Sequence, residues 1–499
     1  MNKRITTLLM LPLLAGLLTG CGGGGGDATT TSEGGNTSSS EVSGKITINF
    51  WHTFGQTVVD GLTSKVNKFV DLVKQNEGVD VEIKLIYQGG YDDIYKKISD
   101  GFAVDNTPTI AVAYADHVAD YLDAGKAANV DYIANLDEFI NDNEIGFGKE
   151  SYLGDKYDED DFIEDFYREG SSFIQDGTYL LPLMKSTEVM FYNMDQLKLA
   201  MQFFKPEFHS SETMIANYMK TISWDDFMEL CDCINKHQED ISNMLEVPCY
   251  YDSDGNMFIS KMYQNDIPYS SISNGRGHID FEEGDARVQT EAMLGDFYDA
   301  HKDNLFTTKG VVNKYGSDWF TNEKCVFSIG SSGGAGYNFP QAEAFDLGVC
   351  RVPDSNNNPL YVSQGVTLAM FNNSGLSEAA NARTKKYAWK FMKYITNAQN
   401  NVELCINGSE GYVPVRESAY ETEMFLDFME EGENYAQCYR VILEDINSGG
   451  GYLVSPSFKG SATLRDQCGS LLTAVLNANS KDEISGLVQT AIDNTKLKM

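Results

Sequence analysis

The stretch Gly330-Ser331-Ser332-Gly333-Gly334 has the residue types of a nucleophile turn. It matches the pattern Gly-x-Ser-x-Gly, which in many hydrolases presents a serine between a strand and a helix. In that chemistry an acid and then a histidine follow the serine along the chain. All six histidines precede Ser332, and they are His52, His117, His209, His237, His278 and His301. A secreted hydrolase is therefore a distant alternative, and we expect that the chain is not an enzyme.

Two other clusters have the residue types of metal sites without the complete spacing. Cys231 and Cys233 lie near His237, but Trp224-Asp225-Asp226-Phe227 begins a helical pattern in which these cysteines would pack or pair. Asp252-Ser253-Asp254-Gly255-Asn256 begins like a calcium loop. The twelfth position of that loop would be Tyr263 rather than a carboxylate, so a plain turn fits better. We expect neither a metal nor a cofactor.

The N-terminus carries a possible site of covalent modification. Lys3 and Arg4 precede the apolar run Leu8–Leu18, which is too short to cross a bilayer and is typical of a secretory signal. Leu18-Thr19-Gly20-Cys21 resembles a bacterial lipobox, in which the cysteine receives a diacylglycerol. Acyl chains bury methylenes at about 0.8 kcal/mol each, so two chains give stable anchoring. The alternative is an ordinary signal peptide with a chance cysteine.

Composition limits the remaining possibilities. The net charge is −35 and no cluster of lysine and arginine is present, which disfavours a nucleic-acid partner. Residues 22–44 are a Gly/Ser/Thr linker behind a signal peptide and lipobox at 1–21. The rest is long and apolar enough for two or three lobes. We predict an extracytoplasmic protein that a lipid anchor holds to the outer face of the cell membrane. The pairing of the eight cysteines after Cys21 stays open.

The hydrophobic pattern predicts an α/β fold. Ile46, Ile48 and Phe50 alternate as in a strand, and the apolar residues from Leu62 to Val73 follow at helical spacing. Another alternating segment, another helical one and the apolar run 110–113 come next. Strands and helices in alternation indicate a parallel sheet with helices on its faces. A strand that is apolar throughout indicates burial on both sides.

Several segments, taken in order, resemble the family 1 extracellular solute-binding proteins of ABC importers. The similar segments are Ile46–His52, Pro182–Asn193, Trp224–Phe227, Phe320–Gly334 and Gly411–Arg416. The resemblance implies two α/β lobes of the type II periplasmic-binding-protein fold with a ligand cleft between them. The lobes would be residues 45–186 plus 365–425 and residues 187–364 plus 426–499. It also implies a permease as partner, a small-molecule solute as ligand, and a monomer.

Within that family the motifs are most similar to the members that bind sn-glycerol-3-phosphate. By that resemblance the ligand would contact Tyr91, Ser186, Ser331, Gly365 and Tyr412, each in a short motif with the right residue type. Arg465 falls where the family has an arginine, although its local match is weak. Where the family has a glutamate, this chain has Asp116 one residue later.

The residue types are consistent with more than one solute. The guanidinium of an arginine and the hydroxyls of serine and tyrosine suit a phosphate group. A neutral sugar would instead require acceptors, such as Asp116 and Glu188, and an aromatic platform, such as Trp51 and Trp319. We predict a glycerol phosphate or a glycerophosphodiester, with a neutral sugar or oligosaccharide as the alternative. A surface adhesin without a small solute is a further alternative.

Overall fold

The computed structural model describes residues 44–341, 344–373, 375–408, 411–431, 434–447 and 451–499. Cys21, the predicted signal peptide and all but the last residue of the predicted linker lie outside these residues. The strands are β1 (Ile46–His52), β2 (Val81–Tyr87), β3 (Ile110–Ala113), β4 (Leu180–Ser186), β5 (Glu188–Asn193), β6 (Cys249–Tyr251), β7 (Ser270–Ser273), β8 (Arg276–Ile279), β9 (Phe306–Thr308), β10 (Phe327–Ser331), β11 (Leu347–Arg351), β12 (Tyr361–Val362), β13 (Gln364–Met370) and β14 (Tyr452–Leu453).

Helices separate most of the strands. They are α1 (Gln56–Glu77), α2 (Tyr91–Gly101), α3 (Ala115–Ala128), α4 (Asp137–Ile140), α5 (Glu164–Arg168), α6 (Met194–Phe204), α7 (Glu212–Met219), α8 (Trp224–Lys236), α9 (Gln238–Ile241), α10 (Asp254–Gln264), α11 (Gly284–Lys302), α12 (Lys309–Val312), α13 (Gly316–Phe320), α14 (Glu378–Ile395), α15 (Ala398–Asn407), α16 (Glu423–Glu431), α17 (Asn434–Asn447), α18 (Ser461–Asn477) and α19 (Ile484–Lys496). Short 3-10 turns are Phe102–Val104, Glu159–Asp161, Glu169–Ser171, Ser332–Asn338, Glu417–Glu421 and Lys481–Glu483.

The first sheet has the strand order β2-β1-β3-β13-β4. β1 pairs in parallel with β2 and β3, whereas β13 runs antiparallel to β3 and β4. All four residues of β3 and all seven of β4 are buried, as expected of strands covered on both faces. Helices α1 and α14 pack their apolar faces against this sheet, and Phe69 and Phe391 meet in its core. The predicted α/β architecture is confirmed for this part of the chain.

The second sheet has the strand order β11-β5-β10-β6-β9. β10 is parallel to β6 and antiparallel to β5, and β11 is antiparallel to β5. A second core lies around α8, α10 and α18, and a smaller one around Phe191, Tyr250 and Phe320. This sheet is therefore an independent layer with its own buried residues.

Two short crossings join strands of the first sheet to strands of the second. Thr187 alone separates β4 of the first sheet from β5 of the second. The return runs from β11 through β12, which pairs with β14, to β13 of the first sheet. Gly365, at φ 108°, makes the return possible, because a Cβ there would lie 2.6 Å from the carbonyl oxygen of Met184. The crossings bring the ends of β4, β10 and β13 together.

The lobe boundaries stay a prediction. Helix α17, which was assigned to the second lobe, contacts the cores of both sheets. Tyr439 and Ile442 belong to the core of the first sheet. Cys438 and Val441, on the same helix, pack into the small core beside the second sheet. α17 therefore contacts both cores rather than one.

The described residues contain no disulfide: seven of the eight cysteines after Cys21 are buried and free, and Cys233 is half-buried and free. In the same part of the chain no group of three or more His, Cys, Asp or Glu residues could hold a metal ion. None of the helices within the described ranges combines the length and apolar character needed to span a bilayer.

Candidate functional site

A cleft of about 860 Å³ lies where the ends of the two sheets meet. Its polar lining is mixed in charge. The carboxylates are Asp116, Glu169, Glu188, Asp252 and Asp318, and the cations are Lys309 and Arg465. The aromatic side chains are Tyr114, Tyr269, Tyr315 and Tyr337. Several serines and Asn256 add neutral donors and acceptors. A cavity with convergent polar groups and apolar rings is the usual form of a small-molecule site.

One side of the cleft is built on the loop between β3 and α3. Tyr114 precedes α3 and stacks on Tyr91, with ring centroids 3.9 Å apart and planes at 13°. Asp116 lies in the first turn of α3, and its Oδ2 is 3.1 Å from Nε of Arg465, which comes from α18. The guanidinium also lies 5.0 Å above the ring of Tyr114. The only arginine lining the cleft within the described residues is thus already paired with a carboxylate.

The base of the cleft is formed by the strand ends next to the crossings. Oγ of Ser331, at the end of β10, donates to Oγ of Ser186, at the end of β4, over 3.4 Å. The same Ser331 oxygen accepts from the backbone N–H of Gly333 at 3.2 Å. A Cβ on Gly333 would lie 2.9 Å from Cζ of Tyr412, so the tyrosine ring packs directly on this glycine. The Gly/Ser turn is therefore needed for close packing as well as for its hydroxyls.

The opposite side of the cleft is acidic. Glu188, the first residue of β5, accepts hydrogen bonds from Oη of Tyr251 at 2.5 Å and from Nδ2 of Asn256 at 3.2 Å. Asp252 accepts from the backbone N–H of Gly316 at 2.6 Å. Burial raises the pKa of Glu188 to about 8, against the opposing effect of its two hydrogen bonds. Burial also raises the pKa of Asp252 to about 6.

The remaining charged groups are compensated or lie near the mouth. Glu169 is ion-paired with Lys185, whose side chain is fully buried. Nζ of Lys309 lies 3.7 Å from the ring centroid of Tyr315. Tyr315 and Tyr337 line the cleft although they are 58% and 73% exposed. Both rings are therefore available at the mouth for contact with a solute.

The structure separates the predicted site residues into three groups. Asp116, Ser331 and Arg465 line the cleft. Four other predicted residues do not line the cleft but lie next to its wall. Tyr91 stacks on Tyr114, and Ser186 accepts a hydrogen bond from Ser331. Gly365 follows the lining residue Gln364, and Tyr412 packs on Gly333, which precedes the lining residue Gly334.

The two predicted aromatic platforms do not line the cleft. Trp51 is 8% exposed and belongs to the core of the first sheet. Trp319 packs on Tyr250, with ring centroids 5.4 Å apart, and on Nζ of Lys324. Tyrosines take the platform positions instead. Of these, Tyr114 could have been found from the sequence, because it directly follows a buried strand and lies two residues before Asp116.

The model of a family described as bacterial extracellular solute-binding proteins matches residues 69–430. The chain belongs to this family. No curated protein matches the sequence. Many solved structures share the fold. One is the cyclic alpha-maltosyl-1,6-maltose binding protein of Arthrobacter globiformis, which is 16% identical in sequence with a TM-score of 0.64. The match covers 91% of this chain and 99% of that protein.

Other similar structures bind different solutes. UgpB from Mycobacterium tuberculosis, in complex with glycerophosphocholine, is 16% identical in sequence with a TM-score of 0.64. The match covers 91% of this chain and 98% of the UgpB chain. An ABC substrate-binding protein from Listeria monocytogenes, in complex with cycloalternan, is 15% identical in sequence with a TM-score of 0.62. The match covers 91% of this chain and 99% of the Listeria protein. At such identities these likenesses show the fold alone.

The family assignment confirms the two-lobe α/β fold and the coarser part of the predicted function. The protein is the extracellular solute-binding component of an ABC importer, and it is a binding protein rather than an enzyme. Its partners are a small-molecule solute and a permease.

Proposed function

We propose that the solute captured in this cleft is a neutral oligosaccharide. The observation that carries the proposal is the charge of the lining. Among the described residues five acidic side chains and two cations line the cleft, and Lys185 compensates Glu169. Even with Glu188 protonated, the remaining carboxylates Asp116, Asp252 and Asp318 outnumber the two cations. Arg465 is paired with Asp116, and Lys309 lies on Tyr315 and acts electrostatically on Asp252. A phosphate monoester would bring further negative charge into this surplus, whereas a neutral solute would not.

The size and the aromatic groups of the cleft also support a sugar chain. Pockets for small molecules usually span roughly 300–1,000 Å³. A cleft of about 860 Å³ is near the upper end and larger than glycerol phosphate requires. Tyr337 at the mouth offers an apolar face for a sugar ring, and Tyr114, whose ring contacts Tyr91 and Arg465, adds apolar surface to the interior. Carboxylates and serine hydroxyls offer partners for sugar hydroxyls.

A glycerophosphodiester is the second candidate, and Arg465 is the observation that favours it. Its side chain is 30% exposed and lies in the lining, so a phosphate could approach its free nitrogens. A diester carries one negative charge, which the guanidinium could balance if Asp116 turned away. Glycerol phosphate itself, which the motifs favoured, would bring more charge than one arginine balances.

Isothermal titration calorimetry on the purified full-length protein tests these candidates. We expect maltotriose or cycloalternan to bind and glycerol-3-phosphate to give no heat. Tight binding of glycerophosphocholine with no response to either sugar would replace the first candidate by the second. Binding of glycerol-3-phosphate more tightly than the other three would overturn the argument from charge.

We also propose that the protein is anchored as a monomer through Cys21. The lipobox-like sequence before Cys21 supports the anchor. Metabolic labelling with a radioactive fatty acid should mark the wild-type protein and not the Cys21→Ser variant, which should be released from the membrane fraction. Equal labelling of both would contradict the anchor, and a dimer in analytical ultracentrifugation would contradict the monomer.

A further inference from the structure

Glu188 differs from Glu169, a half-buried acid of the cleft that lies beside the same crossing. Glu188 follows the crossing residue Thr187 and is 4% exposed, yet it lines the cleft. Glu169, beside the same crossing, is ion-paired with the buried Lys185. No ion pair joins Glu188 to a cation anywhere in the part of the chain that the structure describes. Its two hydrogen-bond donors, Tyr251 and Asn256, are both neutral.

The groups around Glu188 do not supply a compensating charge from any neighbouring element. On β6 the neighbour is Tyr251, followed by Asp252, a second acid that acts on it unfavourably. On α10, next to Asn256, Asp254 accepts from Oγ1 of Thr308 and Thr473 and from N–H of Gly310. The partner of Glu188 on β10 is Ser331.

The nearest strand cations are engaged elsewhere. Arg351 on β11 is paired with Asp354, and Lys185 on β4 with Glu169. Lys309 and Asp318 lie beyond Asp252. A carboxylate in this position is therefore buried without a counter-charge from the described residues, and protonation removes its charge in the free protein.

We propose that the cleft receives its solute with Glu188 protonated, so that solute binding takes up a proton from solvent whenever Glu188 is ionised in the free protein. This inference rests on the proposed function, since it assigns a proton linkage to the same cleft. The remaining exposed surface of Glu188 faces the cleft. A neutral solute replaces the water there and makes the ionised form still less favourable. The raised pKa of Glu188 is consistent with this argument and sets the pH range of the effect.

Two measurements test the proposal, and the first needs no solute. The infrared C=O band of a protonated carboxyl should be present at pH 7 in the purified full-length protein. Subtracting the spectrum of the Glu188→Gln variant from that of the wild type isolates the contribution of Glu188 to this band. The difference band should disappear as the pH rises through about 8. A difference band that is still absent at pH 5 would show that Glu188 stays ionised and would overturn the proposal, whatever the solute is.

The second measurement is solute affinity against pH, with maltotriose, cycloalternan and glycerophosphocholine as probes. For a probe that binds, affinity should fall about tenfold between pH 7 and pH 9, with nearly one proton taken up at pH 9. Glu188→Gln, which keeps shape and carries no charge, should bind with the same affinity at both pH values. Asp445→Asn serves as control, since Asp445 is a buried acid outside the cleft lining whose pKa burial raises to about 7. That variant should keep the wild-type dependence.

Two further outcomes would overturn the proposal. One is a wild-type affinity that does not change with pH. The other is a pH dependence that persists in Glu188→Gln and is lost in Asp252→Asn, which would assign the proton to Asp252. If none of the three probes binds, the proposed solute classes fail, and the infrared band separately decides the state of Glu188.

Discussion

The two sides of the cleft neutralise their carboxylates in different ways. Beside the first sheet, Asp116 is paired with Arg465 and Glu169 with Lys185. Beside the second sheet, Glu188 and Asp252 accept hydrogen bonds from neutral donors only. An ion pair is insensitive to pH near neutrality, whereas an acid without a counter-charge responds to it. The comparison predicts that the two sides contribute differently to stability, to pH dependence and to solute choice.

The largest effect should come from removing the ionisable group on the second side. Burial raises the pKa of Glu188 from about 4.5 to about 8, so the folded state holds an extra proton between these pH values. The contribution of Glu188 to the free energy of unfolding should therefore fall as pH rises from 4.5 to 8. Relative to Glu188→Gln, the loss should approach ~1.4 kcal/mol per pH unit. Urea unfolding at several pH values measures it, and parallel curves for the two proteins would contradict the assignment.

On the first side, the largest effect should come from breaking the buried ion pair. Glu169→Ala leaves the ammonium of Lys185 buried and unpaired, which should cost about 3–5 kcal/mol of unfolding free energy. Lys198 and Glu212 form a more exposed pair, and Glu212→Ala should cost at most ~1 kcal/mol. Denaturant unfolding at pH 7 compares them. Equal losses in the two variants would show that burial of Lys185 does not matter.

The Arg465 pair should show which solute the first side recognises. Arg465→Ala removes a charged donor, so it should weaken glycerophosphocholine by about 2–5 kcal/mol if phosphate binds there. For a neutral oligosaccharide the loss should be about 1 kcal/mol, that of an ordinary hydrogen bond. Calorimetry with both probes measures the two losses. A larger loss for maltotriose than for glycerophosphocholine would contradict a phosphate role.

The smallest effect should come from the tryptophan that lies away from both sides. Trp319 packs on Tyr250 and does not line the cleft, so Trp319→Phe should change solute affinity less than twofold. Tyr114→Ala is the contrasting variant, because its ring faces the cleft. We expect it to lose about 1 kcal/mol or more of binding free energy. Comparable losses of binding free energy in the two variants would show that Trp319 contributes to solute binding.

The sheets could be predicted from the sequence to a large extent. In β1 the alternating apolar residues Ile46, Ile48 and Phe50 are all buried, and in β3 the continuous apolar run is buried throughout. The pairing of β13 between β3 and β4 could not be predicted, because it depends on a return of the chain from a distant position. Chain length indicated two or three lobes, and the similarity to a known family favoured two.

The site was predictable residue by residue only where a motif contacts the cleft directly. Ser331 and Arg465, which the family motifs implied as ligand contacts, line the cleft, and their contact with a solute stays a prediction. Trp51 was expected as an aromatic platform for a sugar, but the hydrophobic effect keeps its large ring in the core. The charge state of Glu188 depends on which groups surround it in space. No spacing along the chain contains that information.

The most direct test of the central claim is a crystal structure of the protein with the tightest-binding member of the solute panel. We expect electron density for sugar rings between Tyr114 and the Glu188 side, with the Asp116–Arg465 pair intact. Density for a phosphate group on Arg465, with Asp116 displaced, or a solute bound outside the cleft would contradict it.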